Sequence, residues 1–275
     1  MKDQADLHIH STASDGGMSP AEVVNEAARA GLAAFAITDH DTIDGLGEAE
    51  EAAKSAGVEC VPGVEIGADF GASEVHILGY FIRPESVTLR DALRRLREAR
   101  LERGAKIVRK LRDLGVPVTM DRVLEIAGGG SVGRVHIAQA IQETGAVHSM
   151  NAAFGKYLTR GAAAFVPRLR MSPEEVVCLV NAAGGAACLA HPSKIGWDGI
   201  IPELQKCGLR GLEVYHTDHS EQVSRRYESL ATRYGLIPTG GSDSHGPRTD
   251  KPVAVGSVSV HHSVTEHLRL AAGQT

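Results

Sequence analysis

Short, largely apolar runs alternate with amphipathic stretches over most of this chain. Ala5–Ile9, Ala33–Thr38, Val58–Ile66 and Val75–Phe81 read as strands, the second as a buried one. Helix signals stand between them. Ser19-Pro20, a cap followed by proline at the first helical position, opens a helix over Val23, Val24, Ala27 and Ala28 that ends near Gly31. A second helix covers Leu46 to Ser55 and stops at Gly57. Pro62-Gly63 inside the third strand predicts an irregular or edge position.

The pattern changes between Pro84 and Arg170. Leu89, Leu93, Leu96, Leu101, Ile107, Val108 and Leu111 recur at helical spacing across Leu89–Leu114, and most of the intervening positions are Arg or Lys. Shorter helical pieces follow at Asp121–Ala127, Arg134–Thr144 and Asn151–Leu158. Residues 84–170 therefore read as a helical insertion over one end of the main domain. The alternation resumes with a capped helix from Ser172-Pro173 to Ala183. Strand Ala186–Ala190, helix Ile200–Cys207, strand Gly211–Val214, helix Ser220–Tyr234 and strand Leu236–Thr239 come next. Val253–Val260 is expected as a last strand and Thr265–Ala272 as a closing helix. Repeated β-then-α units predict an α/β fold with a parallel sheet closed into a barrel, built from residues 1–83 and 171–275.

Polar residues gather at the predicted strand ends: Asp6-Leu7-His8-Ile9-His10 with Asp15, then Asp39-His40, Glu65, His76, His191, and Asp243-Ser244-His245. Such positions match the active face of an α/β barrel. His8 and His10, two apart on a strand, point to one face and can grip one ion. Asp39 could orient His40 or bind directly, and Glu65 could span two ions. This mixture of imidazole and carboxylate suits a divalent cluster with open positions, which points to hydrolysis, with phosphate esters foremost.

Composition narrows the partners. The 275 residues are 43% hydrophobic and 23% charged, ordinary for a globular protein. A net charge of −5 gives no global attraction for nucleic acid, and 4% aromatics argue against a broad base-stacking platform. The scattered Cys60, Cys178, Cys188 and Cys207 read as reduced core residues. With no apolar signal region or spanning run, a cytoplasmic location is expected, without membrane or protein partner.

The segments Asp6-Leu7-His8-Ile9-His10, Thr38-Asp39-His40, Ala190-His191-Pro192 and Gly241-Ser242-Asp243-Ser244-His245 resemble those of the PHP (polymerase and histidinol phosphatase) family of metal-dependent phosphoesterases. The resemblance implies a distorted (β/α)7 barrel and two to three ions, with Mn²⁺ expected and Zn²⁺ or Fe²⁺ as alternatives. It places the ligands at His8, His10, Asp15, His40, Glu65, His76, His191, Asp243 and His245, with Asp15, His40, Glu65, His191 and Asp243 at the reacting centre. Ser14-Asp15-Gly16, Gly63-Val64-Glu65, Val75-His76-Ile77-Leu78-Gly79, Arg134-Val135-His136 and Lys156-Tyr157-Leu158 look most like the branch that removes the 3′-phosphate of nucleoside 3′,5′-bisphosphates or trims short RNA 5′→3′. A histidinol-phosphate-type phosphomonoesterase and a metal-stabilised binding module without turnover are the competing readings.

Cations are needed for the substrate's phosphates. Arg134 and His136 open a helix after Gly128-Gly129-Gly130, a setting that favours an anion. Lys194, three residues past His191, could reach the same pocket, and Arg160 is a similar candidate. His219 or His216 could hold a phosphate or protonate the leaving oxygen, and Glu213 suits a substrate or supporting role. The basic helix could guide RNA or could be a solvated face.

Overall fold

The computed structural model describes residues 3–71, 73–167, 171–247 and 252–274. Eight strands form one sheet: β1 (Gln4–Ile9), β2 (Ala34–Ile37), β3 (Glu59–Phe70), β4 (Ser73–Tyr80), β5 (Ala186–Leu189), β6 (Gly211–His216), β7 (Ile237–Gly241) and β8 (Val260–His261). Their order is β7-β6-β5-β4-β3-β2-β1-β8. The far edge then bends back to close a barrel. Past β7, the Asp243 N–H donates to the His8 carbonyl and the His10 N–H to the Ser244 carbonyl, both at 2.9 Å. Asp6 pins this seam, accepting from the Ser242 N–H (2.9 Å) and the Gly256 N–H (2.8 Å). Gly241 is required there, because a Cβ would stand 2.4 Å from the His8 nitrogen.

Three expectations need correction. The barrel is not uniformly parallel: β4 runs antiparallel to both β3 and β5. Only residues 71–72 separate β3 from β4, too few for a crossover helix, so the chain makes a hairpin. Pro62 is interior rather than at an edge. It is the last β3 residue paired with β2, and Gly63 is the first paired with β4, so the missing N–H falls where the strand changes partners. The strand expected over Val253–Val260 shrinks to Val260–His261, because Gly256 turns at φ +80° and gives its N–H to Asp6.

Ten helices surround the described sheet: α1 (Pro20–Arg29), α2 (Leu46–Ala56), α3 (Val87–Asp113), α4 (Met120–Ala127), α5 (Arg134–Glu143), α6 (Met150–Ala153), α7 (Pro173–Ala182), α8 (Ile200–Lys206), α9 (Glu221–Tyr234) and α10 (Ser263–Ala271). A π-helical turn, Phe154–Leu158, continues α6. Ser19 and Ser172 form capping boxes with Glu22 and Glu175, which fixes where α1 and α7 begin.

Burial divides into a barrel core and a smaller helical core. Leu89, Leu93 and Leu96 of α3 belong to the first, while Ile107, Val108 and Leu111 of the same helix join α4, α5 and residues 153–164 in the second. Leu101, expected inside, is 44% exposed, since the buried stripe passes through Arg100 and Gly104 instead. The insertion boundary expected at residue 170 falls outside the described residues. The four cysteines are free thiols, as expected, but only Cys188 is buried. Cys178 lies on the outer face of α7, so the core reading fails there. No helix among the described residues is long and apolar enough to cross a membrane.

Candidate metal centre

The nine residues singled out as ligands converge at one mouth of the barrel. Because β4 is reversed, His76 near its start lies beside the ends of the parallel strands. Glu65 is central. Its Oε2 lies 3.5, 3.3 and 3.0 Å from His8 Nε2, His10 Nε2 and His40 Nδ1, and its Oε1 lies 2.7 and 3.1 Å from His76 Nδ1 and His191 Nε2. Asp243 Oδ1 stands 3.4 and 3.2 Å from the same His8 and His10 nitrogens. Asp15 completes a further group, with His10 Nδ1 at 3.8 Å, His245 Nε2 at 3.5 Å and His40 Nε2 at 4.0 Å.

His8 Nε2, both His10 nitrogens, His40 Nδ1 and Glu65 Oε2 are buried without a hydrogen-bond partner. Five such atoms turned towards one another would be costly in an ordinary core, and they are the right donors for divalent cations. The described residues therefore fit a divalent cluster.

The electrostatics agree. Burial alone would raise the carboxyl pKa values of Asp15, Glu65 and Asp243, but the surrounding histidines hold all three well below the ordinary range. Burial also disfavours charged His76 and His245. Glu65 overrides this for His76, at about 9, and Asp15 for His245, at about 10. For His40, burial wins and lowers the pKa to about 3. Backbone strain gathers here too: His191 and Asp243 adopt φ of 25° and 53°, and Asp41, next to His40, adopts 52°.

Two carboxylates support the cluster. Glu213 accepts from His8 Nδ1 at 2.8 Å and from the His191 backbone N–H at 2.6 Å, fixing both ligands, which is the supporting role allowed for it above. Asp39 neither binds alongside nor orients His40. It accepts from the Ser11 N–H (2.7 Å), the Ser11 hydroxyl (2.6 Å) and the Ser14 hydroxyl (2.5 Å), clamping the loop that carries Asp15. The glycine run docks the insertion on that loop. A Cβ at Gly130 would meet the carbonyls of Thr12 at 2.6 Å and Ser14 at 2.9 Å.

A pocket of about 360 Å³ opens over the cluster, lined by Asp15, His40, His76 and His191 below and by Arg100, Arg103, Arg134 and Lys194 around it. Lys194 Nζ reaches Asp218 at 3.1 Å and Asp243 at 3.5 Å, while Arg134 donates to Glu74 at 2.8 Å. The other three candidates do not line this pocket, although the groove that His136 borders is also lined by Asp15, Asp243 and His245. His136 is buried and caps α5, its Nδ1 accepting the Gly133 N–H at 3.1 Å, so it also uses up a donor expected to meet an anion. It borders a wider groove beside the pocket. Arg160 is spent on the Gly71 carbonyl (3.2 Å) at the β3–β4 turn. His219 sits behind His216, stacks on Tyr227 and bonds the Val214 carbonyl at 2.9 Å. His216 itself meets Asp243 Oδ2 at 3.2 Å. Arg100 and Arg103 went unassigned in the sequence, where they look like members of a long basic run.

A family model described as the PHP domain matches residues 6–113. A 3′,5′-nucleoside bisphosphate phosphatase of Chromobacterium violaceum is 36% identical over 88% of this chain and 87% of its own length. The chain belongs to the PHP family. A 5′-3′ exoribonuclease of Haemophilus influenzae is 34% identical over 90% of this chain and 92% of its own length. A phosphoribosyl 1,2-cyclic phosphate 1,2-diphosphodiesterase of Eggerthella lenta is 33% identical over 88% and 94%. A solved Bifidobacterium adolescentis structure, described as a metal-dependent phosphoesterase, superposes with a TM-score of 0.89 at 31% identity, covering 97% of this chain and 96% of that one. This PHP protein is therefore an enzyme, a metal-dependent hydrolase of phosphoric esters.

Proposed function

We propose that this PHP enzyme removes the 3′-phosphate of nucleoside 3′,5′-bisphosphates, with Mn²⁺ as its working ion, and that it also releases mononucleotides from short RNA. The observation that carries this reading is the gathering of four basic side chains around the pocket. One phosphate over a divalent cluster does not need Arg100, Arg103, Arg134 and Lys194 as well. A substrate with a second phosphate does. The likeness to the Chromobacterium and Haemophilus enzymes supports the same choice.

Bound divalent ions would polarise the phosphoryl group and lower the pKa of an attacking water. His8, His10, Asp15, His40, Glu65, His76, His191, Asp243 and His245 would hold them. Glu213 keeps His8 in the tautomer that leaves Nε2 facing the cluster. Lys194, beside Asp243, lies where it can offset charge building on the reacting phosphate.

The test is phosphate release by the Mn²⁺-loaded protein from adenosine 3′,5′-bisphosphate. Histidinol phosphate, a phosphoribosyl 1,2-cyclic phosphate and a short 5′-phosphorylated RNA run in parallel. Turnover of the bisphosphate to 5′-AMP is expected to be fastest. Preference for the cyclic ester or for histidinol phosphate would replace the substrate assignment.

A further inference from the structure

Strand β6 gives the mouth two buried polar side chains, Glu213 and His216. On a regular strand, residues three apart point to opposite faces. The pairing with β7 explains why these two do not. Glu213 pairs with Thr239 and Tyr215 with Gly240, so β6 advances two residues where β7 advances one. The extra residue turns His216 back to the side that Glu213 faces, as a bulge does. Glu213 fixes His8 and His191. The His216 side chain is 0% exposed and lines neither the pocket nor the groove beside it, so it is walled off from a substrate.

Both ring nitrogens of His216 are committed. Nδ1 accepts the Asp218 backbone N–H at 3.0 Å, so the neutral ring carries its proton on Nε2, which donates to Asp243 Oδ2 at 3.2 Å. His216 also lies within an ion's reach of His8 and Glu213, but His8 Nδ1 is already bonded to Glu213. The bond from His216 divides Asp243. Oδ1 stands 3.4 and 3.2 Å from the Nε2 atoms of His8 and His10, whereas Oδ2 meets His216 and, at 3.5 Å, Lys194. The same turn braces its surroundings. The Thr217 hydroxyl donates to the Ser242 carbonyl at 3.2 Å, and Asp218 holds Lys194 at 3.1 Å. Asp243 has a φ of 53°, and such a residue persists only where its neighbours hold it.

We propose that His216 is a positioning residue for Asp243: by engaging Oδ2 it leaves this ligand a single oxygen, Oδ1, for the ions. A carboxylate free to turn can offer both oxygens to one ion and fill a position that the reaction needs open. The proposal concerns the mouth alone, so it does not depend on which phosphate ester is the substrate.

Two substitutions separate the two hydrogen bonds of His216. His216→Asn can still accept from Asp218 but falls short of Asp243. His216→Gln can place an amide donor where Nε2 stands and gives up the bond from Asp218. With aryl phosphate as substrate and saturating Mn²⁺, His216→Asn should lose about 10- to 100-fold in kcat with KM little changed, and His216→Gln should recover most of that loss. General damage to the fold would strike both variants, and the glutamine at least as hard, because it cuts the turn's own bond. A second readout needs neither metal nor turnover. Long-range proton–nitrogen correlation spectra of the metal-free protein, with the His216 signals assigned by their loss in His216→Gln, should show a bare Nδ1 and a protonated Nε2. In Asp243→Asn the Nε2 proton should shift upfield as its charged acceptor is lost. Equal losses in the two His216 variants, an unchanged kcat in His216→Asn, or a proton on Nδ1 would overturn the proposal.

Discussion

The barrel mouth and the insertion above it solve opposite problems. The mouth holds like and unlike charges at 2.7–4.0 Å and accepts left-handed backbone at His191, Asp243 and Asp41 to do so. The described residues of the insertion store no such strain. Its positive φ angles fall on glycines such as Gly128 and Gly129, its helices have their own core, and its pocket arginines Arg134 and Arg103 bond a carboxylate and a carbonyl. The difference teaches where each property resides. Chemistry depends on groups locked by several strands at once, while recognition depends on side chains that a helix surface can exchange at little cost. Relatives named for a bisphosphate, an RNA and a cyclic ester, each aligned over nearly the whole chain, fit that separation.

The largest effect should come from the shared carboxylate. Glu65→Ala is expected to cut turnover on every phosphate ester by about 10³-fold or more and to lower bound metal, read by elemental analysis. Retained metal and rate would break the account of the mouth. Glu213→Gln tests the support beneath it. The amide keeps the shape but loses the charge that orients His8, so metal affinity or activity should fall about 10- to 100-fold, again regardless of substrate. Arg134→Ala should do the reverse. Its KM effect, on the order of tenfold, should appear for the bisphosphate and hardly at all for an aryl phosphate. Equal effects on both would erase the distinction between the two regions.

Protons compete with metal at the mouth alone. In the metal-free protein His76 and His245 titrate at about 9 and about 10, so both carry protons at pH 7 that cation binding must expel. Affinity should rise with pH through 9–10. Calorimetry in buffers of different ionisation enthalpy should find protons released at pH 7. The sign reverses for the metal-free fold. These raised values contribute stability that is full below about 6.5 and is lost as pH climbs to 9–10, so the metal-free protein should melt lower at pH 10 than at pH 7. A melting temperature that climbs over that range would contradict the histidine–carboxylate pairing.

The mouth was more legible in the sequence than the wall, for a physical reason. A histidine or carboxylate at the end of an apolar strand has no packing role, so His8, His10, Glu65 and His76 advertise themselves locally. Asp39 misled, because its partners Ser11 and Ser14 depend on how a loop folds back. His136 looked like an anion ligand by its place at a helix start, and the same place made it a cap. Arg100 was hidden among the basic residues of α3, although a charge on the apolar stripe was the signal that could have found it. The reversal of β4 was hidden in a gap of two residues, 71–72, which strand and helix periodicity does not weigh.

The smallest kinetic effect is the most discriminating. Ile141 lies on α5 with Arg134, is fully buried in the helical core, and does not line the pocket. Ile141→Ala leaves a cavity that should cost about 2–5 kcal/mol in the insertion's packing. The barrel core contains none of its neighbours, so the ligands should stay in place and bound metal should be unchanged. What loosens is α5, and with it the placement of Arg134. KM for the bisphosphate should therefore drift up a few-fold, on the order of 2–5, with aryl phosphate turnover steady. Loss of metal in this variant would mean that the helical core braces the mouth through Gly130 and the Asp15 loop, and that the two regions are one mechanical unit.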